Sequence, residues 1–186
     1  PSQGDHQTDK LKFGPDGYLY ISTGDAFGQN DPMQTGQFLG DLLSSILRID
    51  VNGTHSVKPY RVPPDNPFVN TPGALPEIWA FGFRQPWKIS FDPKGRLWCG
   101  DVGWELWEMI HLVPKGGNHG WMRREGTFQS GYDVPGGNGN QVYPLPANVL
   151  DGTVKDGFVY PGAMYDHGEG LSVTGGVVYT GRVAAL

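Results

Sequence analysis

The chain has 186 residues and a formal net charge of −5, and it contains no basic run that would favour nucleic acid as a partner. Glycine (29) and proline (16) are abundant, but 6 Trp, 8 Tyr and 9 Phe argue against disorder, which is poor in aromatic residues. No apolar stretch approaches the roughly 18 residues of a membrane span. The single cysteine, Cys99, excludes an internal disulfide bond and lies in an apolar strand pattern that predicts a buried thiol. The composition therefore indicates an all-β domain with long loops.

The first predicted element is a hairpin whose motif occurs twice. Phe13-Gly14-Pro15-Asp16-Gly17-Tyr18-Leu19-Tyr20 recurs as Phe91-Asp92-Pro93-Lys94-Gly95-Arg96-Leu97-Trp98. Proline presets φ at a turn and glycine adopts conformations that are costly for other residues, so each copy predicts a strand, a tight turn and a second strand. Recurring hairpins are typical of the blades of a β-propeller, which carries its function in the loops around a central channel.

The other strands are predicted from short apolar or alternating segments bounded by turn residues. In chain order, the strands are predicted over residues 10–13, 17–23, 44–51, 77–81, 87–91, 97–100, 108–113 and 172–180. Residues 24–40, 54–76 and 126–157 are rich in turn-forming residues and predict long loops, with a short helical turn around 37–43. Ordinary blades have roughly 40–50 residues, and the two copies of the hairpin motif are farther apart than that. The extra length lies in long insertions, which we expect to carry a functional site.

The two ends of the chain interrupt the pattern. Residue 1 is not Met, and the chain stops shortly after the last predicted strand, at Leu186. We therefore expect residues 1–186 to form one partial propeller domain, truncated at both ends.

Seven ordered motifs resemble the glucose/sorbosone dehydrogenase family, which includes soluble quinoprotein aldose dehydrogenases. They are Asp5-His6-Gln7 with Leu11-Lys12-Phe13-Gly14-Pro15-Asp16-Gly17, Tyr20-Ile21-Ser22-Thr23-Gly24-Asp25, Ile46-Leu47-Arg48-Ile49-Asp50, Gly82-Phe83-Arg84-Gln85-Pro86-Trp87, Gly100-Asp101-Val102-Gly103-Trp104, Gly116-Gly117-Asn118-His119-Gly120-Trp121 and Thr174-Gly175-Gly176-Val177-Val178-Tyr179. The matches are collinear and cover almost the whole chain. The resemblance implies a six-bladed β-propeller, of which this chain would form the middle blades.

The resemblance also implies a chemistry. Enzymes of the family bind pyrroloquinoline quinone (PQQ) and calcium over the channel mouth and oxidise an aldose at its anomeric carbon, while a histidine accepts the hydroxyl proton. His6 holds the matching position, and imidazole suits the role because its pKa is near neutrality. Arg84 matches the arginine that contacts the quinone in the family. A guanidinium suits that contact because it offers paired donors and a fixed charge, and we count Arg84 with His6 as catalytic. Asp5 is a weak candidate for orienting His6, because adjacent strand residues point apart.

Further positions correspond to cofactor and metal contacts. Gln85 stands where the family usually has Asn, which keeps the amide chemistry but lengthens the reach. Thr180 stands where the family commonly has Lys or Arg, and Arg182, on the same strand face, is a candidate substitute. The carbonyl groups of Gly103 and Trp104 match those that bind calcium, an ion that prefers hard oxygen ligands.

Other candidates have weaker support. Asp101, Glu105 and Glu108 either add negative potential near the calcium position or form a solvated acidic loop. Residues 25–31 have some calcium-loop spacing, but they lack the glycine at the sixth loop position and the terminal Glu of an EF-hand. A turn-rich loop is therefore the favoured interpretation. His111 and His119 are poorly spaced as metal ligands, so zinc is not supported.

Two functions of different classes remain. The first is a calcium-dependent quinoprotein sugar dehydrogenase, periplasmic or extracellular, which passes electrons to an acceptor such as a cytochrome. The second is a non-catalytic propeller that binds a protein or a glycan; Thr180 and Gln85 favour it, whereas His6 and Arg84 oppose it. A metal-dependent lactonase-type propeller is a third possibility, and would need carboxylate and Asn ligands converging at the channel axis.

Overall fold

A computed structural model describes residues 6–26, 30–54, 56–139, 141–150, 152–153 and 155–181. The first sheet is a four-stranded antiparallel meander of β1 (Thr8–Phe13), β2 (Leu19–Thr23), β3 (Ser45–Ile49) and β4 (Ile78–Phe81). A second meander begins with β5 (Pro86–Phe91), β6 (Leu97–Asp101) and β7 (Trp107–Val113). The first strands of the two sheets, β1 and β5, pack against each other, which is the arrangement of neighbouring propeller blades.

A long insertion separates β7 from the last strand of the second sheet. It contains a small three-stranded sheet of β8 (Arg124–Glu125), β9 (Phe128–Ser130) and β10 (Val142–Pro144), followed by one helical turn, α1 (Ala147–Leu150). The chain then returns as β11 (Ala163–Asp166), which pairs with β7 and completes the second blade. None of the helices in the described part of the chain has the length and hydrophobicity needed to cross a bilayer.

Both predicted hairpins are confirmed. Phe13 pairs with Leu19 at the end of the first hairpin, and Phe91 pairs with Leu97 at the end of the second. Gly17 and Gly95 have φ values of 80° and 74°, so each turn uses the left-handed conformation that glycine adopts at low cost. The shared sequence motif therefore encodes the same turn in the two blades.

The buried core lies between the two sheets and binds them into one unit. The Tyr20 ring lies edge-on to Trp79 and Phe91, with centroids 5.7 and 5.0 Å apart. Cys99 is buried in this core, as its apolar strand pattern predicts. Burial of each large apolar side chain contributes roughly 1.5–3 kcal/mol, which favours the two blades as a cooperative body.

Four sequence predictions differ from the structure. Residues 172–180 form no strand, and the Val173 N–H instead donates to Glu108 Oε2 at 2.7 Å. The segment 126–157, predicted to be a loop, contains β9, β10 and α1, which are too short and irregular to show periodicity. β11 lacks a buried face that would show alternation, and it was not predicted. The helical turn is a 3-10 turn at Thr35–Gln37, which begins two residues before the predicted range 37–43.

Candidate active site

His6 and Asp25 form a hydrogen-bonded pair at one end of the first blade. Antiparallel pairing of β1 with β2 places the residues before β1 beside those after β2, and Nδ1 of His6 lies 2.7 Å from Oδ1 of Asp25. Asp25 is fully buried and the His6 side chain is 10% exposed. The carboxylate favours the tautomer in which Nδ1 carries the proton, and this leaves the Nε2 lone pair to accept another.

Asp25 is therefore a residue that orients His6, and the weak candidate Asp5 stays a prediction. Asp5 lies outside the described residues, and the sequence reasoning assigned no role to Asp25 beyond a turn-rich loop. One sequence signal could have identified Asp25. Gly24 and Asp25 directly follow β2, and β1, the strand that pairs with β2, begins just after His6.

Asp25 connects His6 to Trp121 and to the candidate residue Arg84. Its Oδ2 accepts a hydrogen bond from Trp121 Nε1 at 2.9 Å, and its backbone N–H donates to the Arg84 carbonyl at 2.9 Å. The Arg84 guanidinium lies 5.6 Å from the centre of a Trp121 ring, within cation–π range. The structure therefore brings the two predicted catalytic residues to the same buried residue, Asp25, His6 through the carboxylate and Arg84 through the backbone.

Arg84 is a buried cation in the connection between the two blades. Its Nη1 donates to the Gly103 carbonyl at 2.8 Å. Burial lowers the pKa of Arg84, and the negative charges of Asp25 and Asp101 oppose that effect. Because an arginine titrates far above neutrality, the side chain stays charged and presents a positive site.

Asp101 fixes the backbone that carries Arg84 and Gln85. Its Oδ1 accepts from the Gln85 N–H at 2.7 Å and its Oδ2 from the Arg84 N–H at 3.2 Å. Burial raises the pKa of Asp101 to about 8. Glu108 is buried as well and accepts hydrogen bonds from Val173 and His167. The interpretation of these two carboxylates as a solvated acidic loop is therefore wrong.

The loop that contains Gly103 and Trp104 is organised by a residue that the sequence analysis missed, Glu125. Its Oε1 accepts hydrogen bonds of 3.0–3.1 Å from four successive backbone N–H groups, those of Trp104, Glu105, Leu106 and Trp107. In a trans peptide the carbonyl points opposite to the N–H, so the carbonyls of residues 103–106 point away from Glu125. No local pattern marks Glu125, because it lies on β8 in the insertion.

This orientation fits the calcium contact that the family resemblance implies. The Gly103 carbonyl accepts one hydrogen bond from Arg84 and keeps a second lone pair, while the Trp104 carbonyl faces the same outward side. In the described part of the chain no three His, Cys, Asp or Glu side chains are grouped to hold a metal ion. Carbonyl oxygens such as those of Gly103 and Trp104 are hard ligands of the kind that calcium prefers. A Cβ on Gly103 would lie 1.6 Å from the Trp107 carbonyl oxygen, which explains the glycine.

The remaining predicted cofactor contacts are less well placed. Gln85 is half-buried beside Arg84, whereas Thr180 is exposed. Arg182 lies outside the described residues. Thr180 and Arg182 therefore stay predictions.

His111 and His119 form a separate buried pair. Their Nδ1 atoms are 3.0 Å apart, and the His119 ring stacks on Phe83 with a centroid distance of 4.4 Å. Burial lowers the pKa of His111 to about 3 and that of His119 well below its usual value. Both rings are thus neutral at physiological pH and act as core residues.

The comparisons with known proteins agree with the two-bladed sheet structure. The family model described as Glucose / Sorbosone dehydrogenase matches residues 1–184, and the chain belongs to this family. The PQQ-bound aldose sugar dehydrogenase from Streptomyces coelicolor superimposes with a TM-score of 0.59 at 25% identity, over 87% of this chain and 36% of that one. The all-β propeller prediction is thereby confirmed, and the chain covers part of the propeller.

Two relatives illustrate the range of the family. The HIPL1 protein of Arabidopsis thaliana is 35% identical over 192 residues, which cover 94% of this chain and 26% of HIPL1. Aldose sugar dehydrogenase YliI of Escherichia coli is 33% identical over 143 residues, which cover 76% of this chain and 36% of YliI. The chain thus spans about a quarter to a third of the length of these relatives.

Proposed function

We propose that this chain carries part of the active site of a PQQ-dependent aldose dehydrogenase in which His6 is the general base. The observation that carries the proposal is the 2.7 Å pair of His6 with the buried carboxylate of Asp25, whose backbone N–H is hydrogen-bonded to Arg84. A base and the backbone of a cationic residue are thus both bonded to Asp25. The sugar dehydrogenases among the relatives support the same chemistry.

The role of His6 follows from its hydrogen bond. With Nδ1–H donated to Asp25, Nε2 accepts the proton of the anomeric hydroxyl as the C1–O bond becomes a carbonyl. The imidazolium formed in this step is stabilised by the adjacent carboxylate. Bound PQQ would supply the oxidant, accepting the hydrogen of C1 together with its electron pair.

Arg84, Gln85, Gly103 and Trp104 are the residues that would hold the cofactor and its calcium ion. The guanidinium of Arg84 and the amide of Gln85 are donors suited to quinone and carboxylate oxygens, and the outward carbonyls of Gly103 and Trp104 are hard ligands. Thr180 and Arg182 would complete the pocket. We also propose a periplasmic or extracellular location and an electron acceptor such as a cytochrome.

A non-catalytic propeller that binds a protein or a glycan is the second candidate. Thr180 favours it, because a hydroxyl cannot replace a cation facing the carboxylates of PQQ. Gln85 favours it more weakly, since only its reach differs from that of Asn. Under this alternative His6 and Arg84 keep a structural role around Asp25.

The test uses the full-length protein, stripped of metal and titrated with calcium and PQQ while an aldose is added. We expect cofactor absorbance to saturate and then to change on reduction by the sugar. His6→Asn should bind the cofactor but lose turnover, whereas His167→Asn, at a histidine that bonds Glu108 and not Asp25, should retain it. A folded protein that takes up no PQQ would reject the dehydrogenase and favour the binding module.

A further inference from the structure

A tripeptide that follows the third strand of the first blade has the pattern of an N-glycosylation acceptor. Asn52-Gly53-Thr54 comes shortly after β3 and satisfies Asn-x-Ser/Thr, with a residue other than proline in the middle. No other asparagine of the 186-residue sequence has Ser or Thr two positions later. Such a short pattern also occurs by chance, so its meaning depends on the surroundings of Asn52 in the fold.

Asn52 lies in an exposed turn whose backbone is fixed by other residues. Asp50 and Arg61 exchange two backbone hydrogen bonds, of 2.8 and 2.9 Å, which close the base of the turn. Asp50 Oδ1 also accepts a hydrogen bond from the Asn52 backbone N–H at 2.9 Å. Asn52 itself is exposed, and its side-chain amide forms no hydrogen bond with any other described residue. Its Nδ2 atom is therefore accessible.

The turn does not require an asparagine at this position. Asn-Gly pairs are favoured in turns chiefly because both residues tolerate a positive φ. Neither Asn52 nor Gly53 is among the described residues that have a positive φ. Gly53 is explained by packing, since a Cβ there would lie 2.7 Å from Cδ of Arg61. The backbone conformation and the side-chain contacts thus leave the identity of Asn52 unexplained.

Thr54 supplies the hydroxyl group that the acceptor pattern needs. The residue is exposed, and its carbonyl accepts a hydrogen bond from Arg61 Nε at 3.0 Å. Within the described part of the chain, no other residue forms a hydrogen bond with the Thr54 hydroxyl. The fold therefore uses only the backbone of Thr54 and leaves its hydroxyl group available for recognition.

The turn lies at the end of the first blade that is away from the candidate active site. β3 runs from Ser45, which pairs with Thr23, to Ile49 at its other end. Asp25 lies two residues beyond Thr23, whereas Asn52 lies beyond Ile49. The strand alone separates these two ends by roughly 13 Å. A bulky, solvated group on Asn52 would therefore leave the candidate active site open.

We propose that Asn52 is N-glycosylated. Asn52 Nδ2 forms a bond to C1 of the first sugar of a lipid-linked oligosaccharide, and the bond between C1 and the oxygen of the lipid pyrophosphate breaks. The lipid pyrophosphate leaves with the electron pair of that bond, and Nδ2 loses one proton. The inference goes beyond the proposed function, because it requires export of the chain but neither PQQ nor sugar oxidation.

The test is mass spectrometry on the full-length protein, directed into the secretory pathway of eukaryotic cells and collected from the medium. Trypsin cuts after Arg48 and Arg61 but not between Lys58 and Pro59, so Asn52 lies in the peptide 49–61, which contains no other asparagine. A peptide-N-glycosidase acting in heavy-oxygen water converts a glycosylated Asn52 to labelled aspartate, whereas earlier deamidation leaves no label. We expect most copies of this peptide to be labelled.

Matched variants identify the groups that the reaction needs. Thr54→Ala keeps the acceptor amide but removes the hydroxyl group, so the label should be lost, whereas Thr54→Ser should retain it. Asn52→Gln should remove the mass of one glycan from the intact protein. Asn70→Gln changes another exposed asparagine, which has Pro72 two positions later, and should leave the label on Asn52 unchanged.

The outcomes separate this inference from the proposed function. A labelled Asn52 in a protein that binds no PQQ supports the glycosylation site and rejects the dehydrogenase. A secreted, folded protein whose peptide 49–61 carries no label overturns the inference, even if that protein binds PQQ and oxidises an aldose. A label that persists in Thr54→Ala overturns it as well.

Discussion

His6 Nδ1 lies 2.7 Å from Asp25 Oδ1, and the other oxygen of the same carboxylate accepts a hydrogen bond from Trp121 Nε1 at 2.9 Å. Because both oxygens are engaged by neighbours on different segments, the carboxylate has a fixed orientation and imposes one on the imidazole. The pair joins residues 19 positions apart in sequence, and Trp121 is a further 96 positions from Asp25. The geometry of the base therefore depends on the packing of both blades.

The first prediction concerns Asp25→Asn. Trp121 needs an acceptor, so the amide oxygen should face Trp121 and the NH₂ group should face His6, which forces the proton onto Nε2 of the imidazole. That tautomer cannot accept a proton from the substrate. We expect kcat to fall by about 10²–10⁴-fold while PQQ still binds, as measured by cofactor titration and steady-state kinetics. Asp133→Asn is the control, and a near-normal kcat in Asp25→Asn would exclude His6 as the base.

The second prediction concerns Glu125, which holds four N–H groups of residues 104–107. Glu125→Ala leaves those four partly buried donors without their acceptor and should lower the free energy of unfolding by roughly 3 kcal/mol. Glu125→Gln keeps an acceptor but loses the charge, so its effect should be smaller. Thermal unfolding measures the stability.

The same variants should alter calcium affinity, because Glu125 orients the carbonyls of Gly103 and Trp104. Calorimetric titration with calcium in the presence of PQQ should show weaker binding in Glu125→Ala. Glu169→Gln, which removes the charge of an exposed carboxylate outside this loop, is the control and should bind normally. Unchanged calcium affinity in a folded Glu125→Ala protein would place the calcium site elsewhere.

The third prediction uses the close contact at Gly103. A methyl group there would overlap the Trp107 carbonyl oxygen, at 1.6 Å from the Cβ position, so Gly103→Ala must displace residues 103–107. We expect loss of calcium-dependent PQQ binding, measured by absorbance titration. Gly176→Ala is the control, because no atom lies within 4 Å of its Cβ position. Equal PQQ affinity in the two variants would contradict the role given to this loop.

Local signals predicted β1 to β7, but not the strands of the insertion or β11. Pro15 and Gly17, and again Pro93 and Gly95, determine their turns within a few residues, so the hairpins could be recognised directly. Strand alternation located β3 to β7 to within two residues at each end. The segment 172–180 carries the same kind of pattern but is not paired, since strand formation requires a neighbouring strand as well as propensity.

The supporting residues of the site could not be predicted in this way. Family resemblance pointed to His6, Arg84, Gly103 and Trp104, but the residues that hold them, Asp25, Asp101 and Glu125, act through contacts between distant segments. Asp101 was noted only as a possible source of negative potential. A single sequence contains no signal for such contacts, because each depends on the register of the strands and on the packing of the insertion.

The last prediction concerns the buried pair His111 and His119, whose Nδ1 atoms are 3.0 Å apart. Burial lowers the pKa of His111 to about 3, from an ordinary value of 6.5, and lowers that of His119 in the same direction. Between these values the unfolded chain binds protons that the folded chain does not. The contribution of the neutral pair to the free energy of unfolding is therefore fully present above pH 6.5 and is lost as the pH falls towards 3.

For each histidine the expected loss is about 1.4 kcal/mol per pH unit, which urea unfolding at pH 7.5, 6.5, 5.5 and 4.5 can measure. His119→Asn keeps a hydrogen-bonding group beside His111 but removes one titrating ring, so its stability should fall less steeply with acidification than that of the wild type. Parallel curves for the two proteins would mean that His119 is protonated in the fold, which its stacking on Phe83 and its burial oppose.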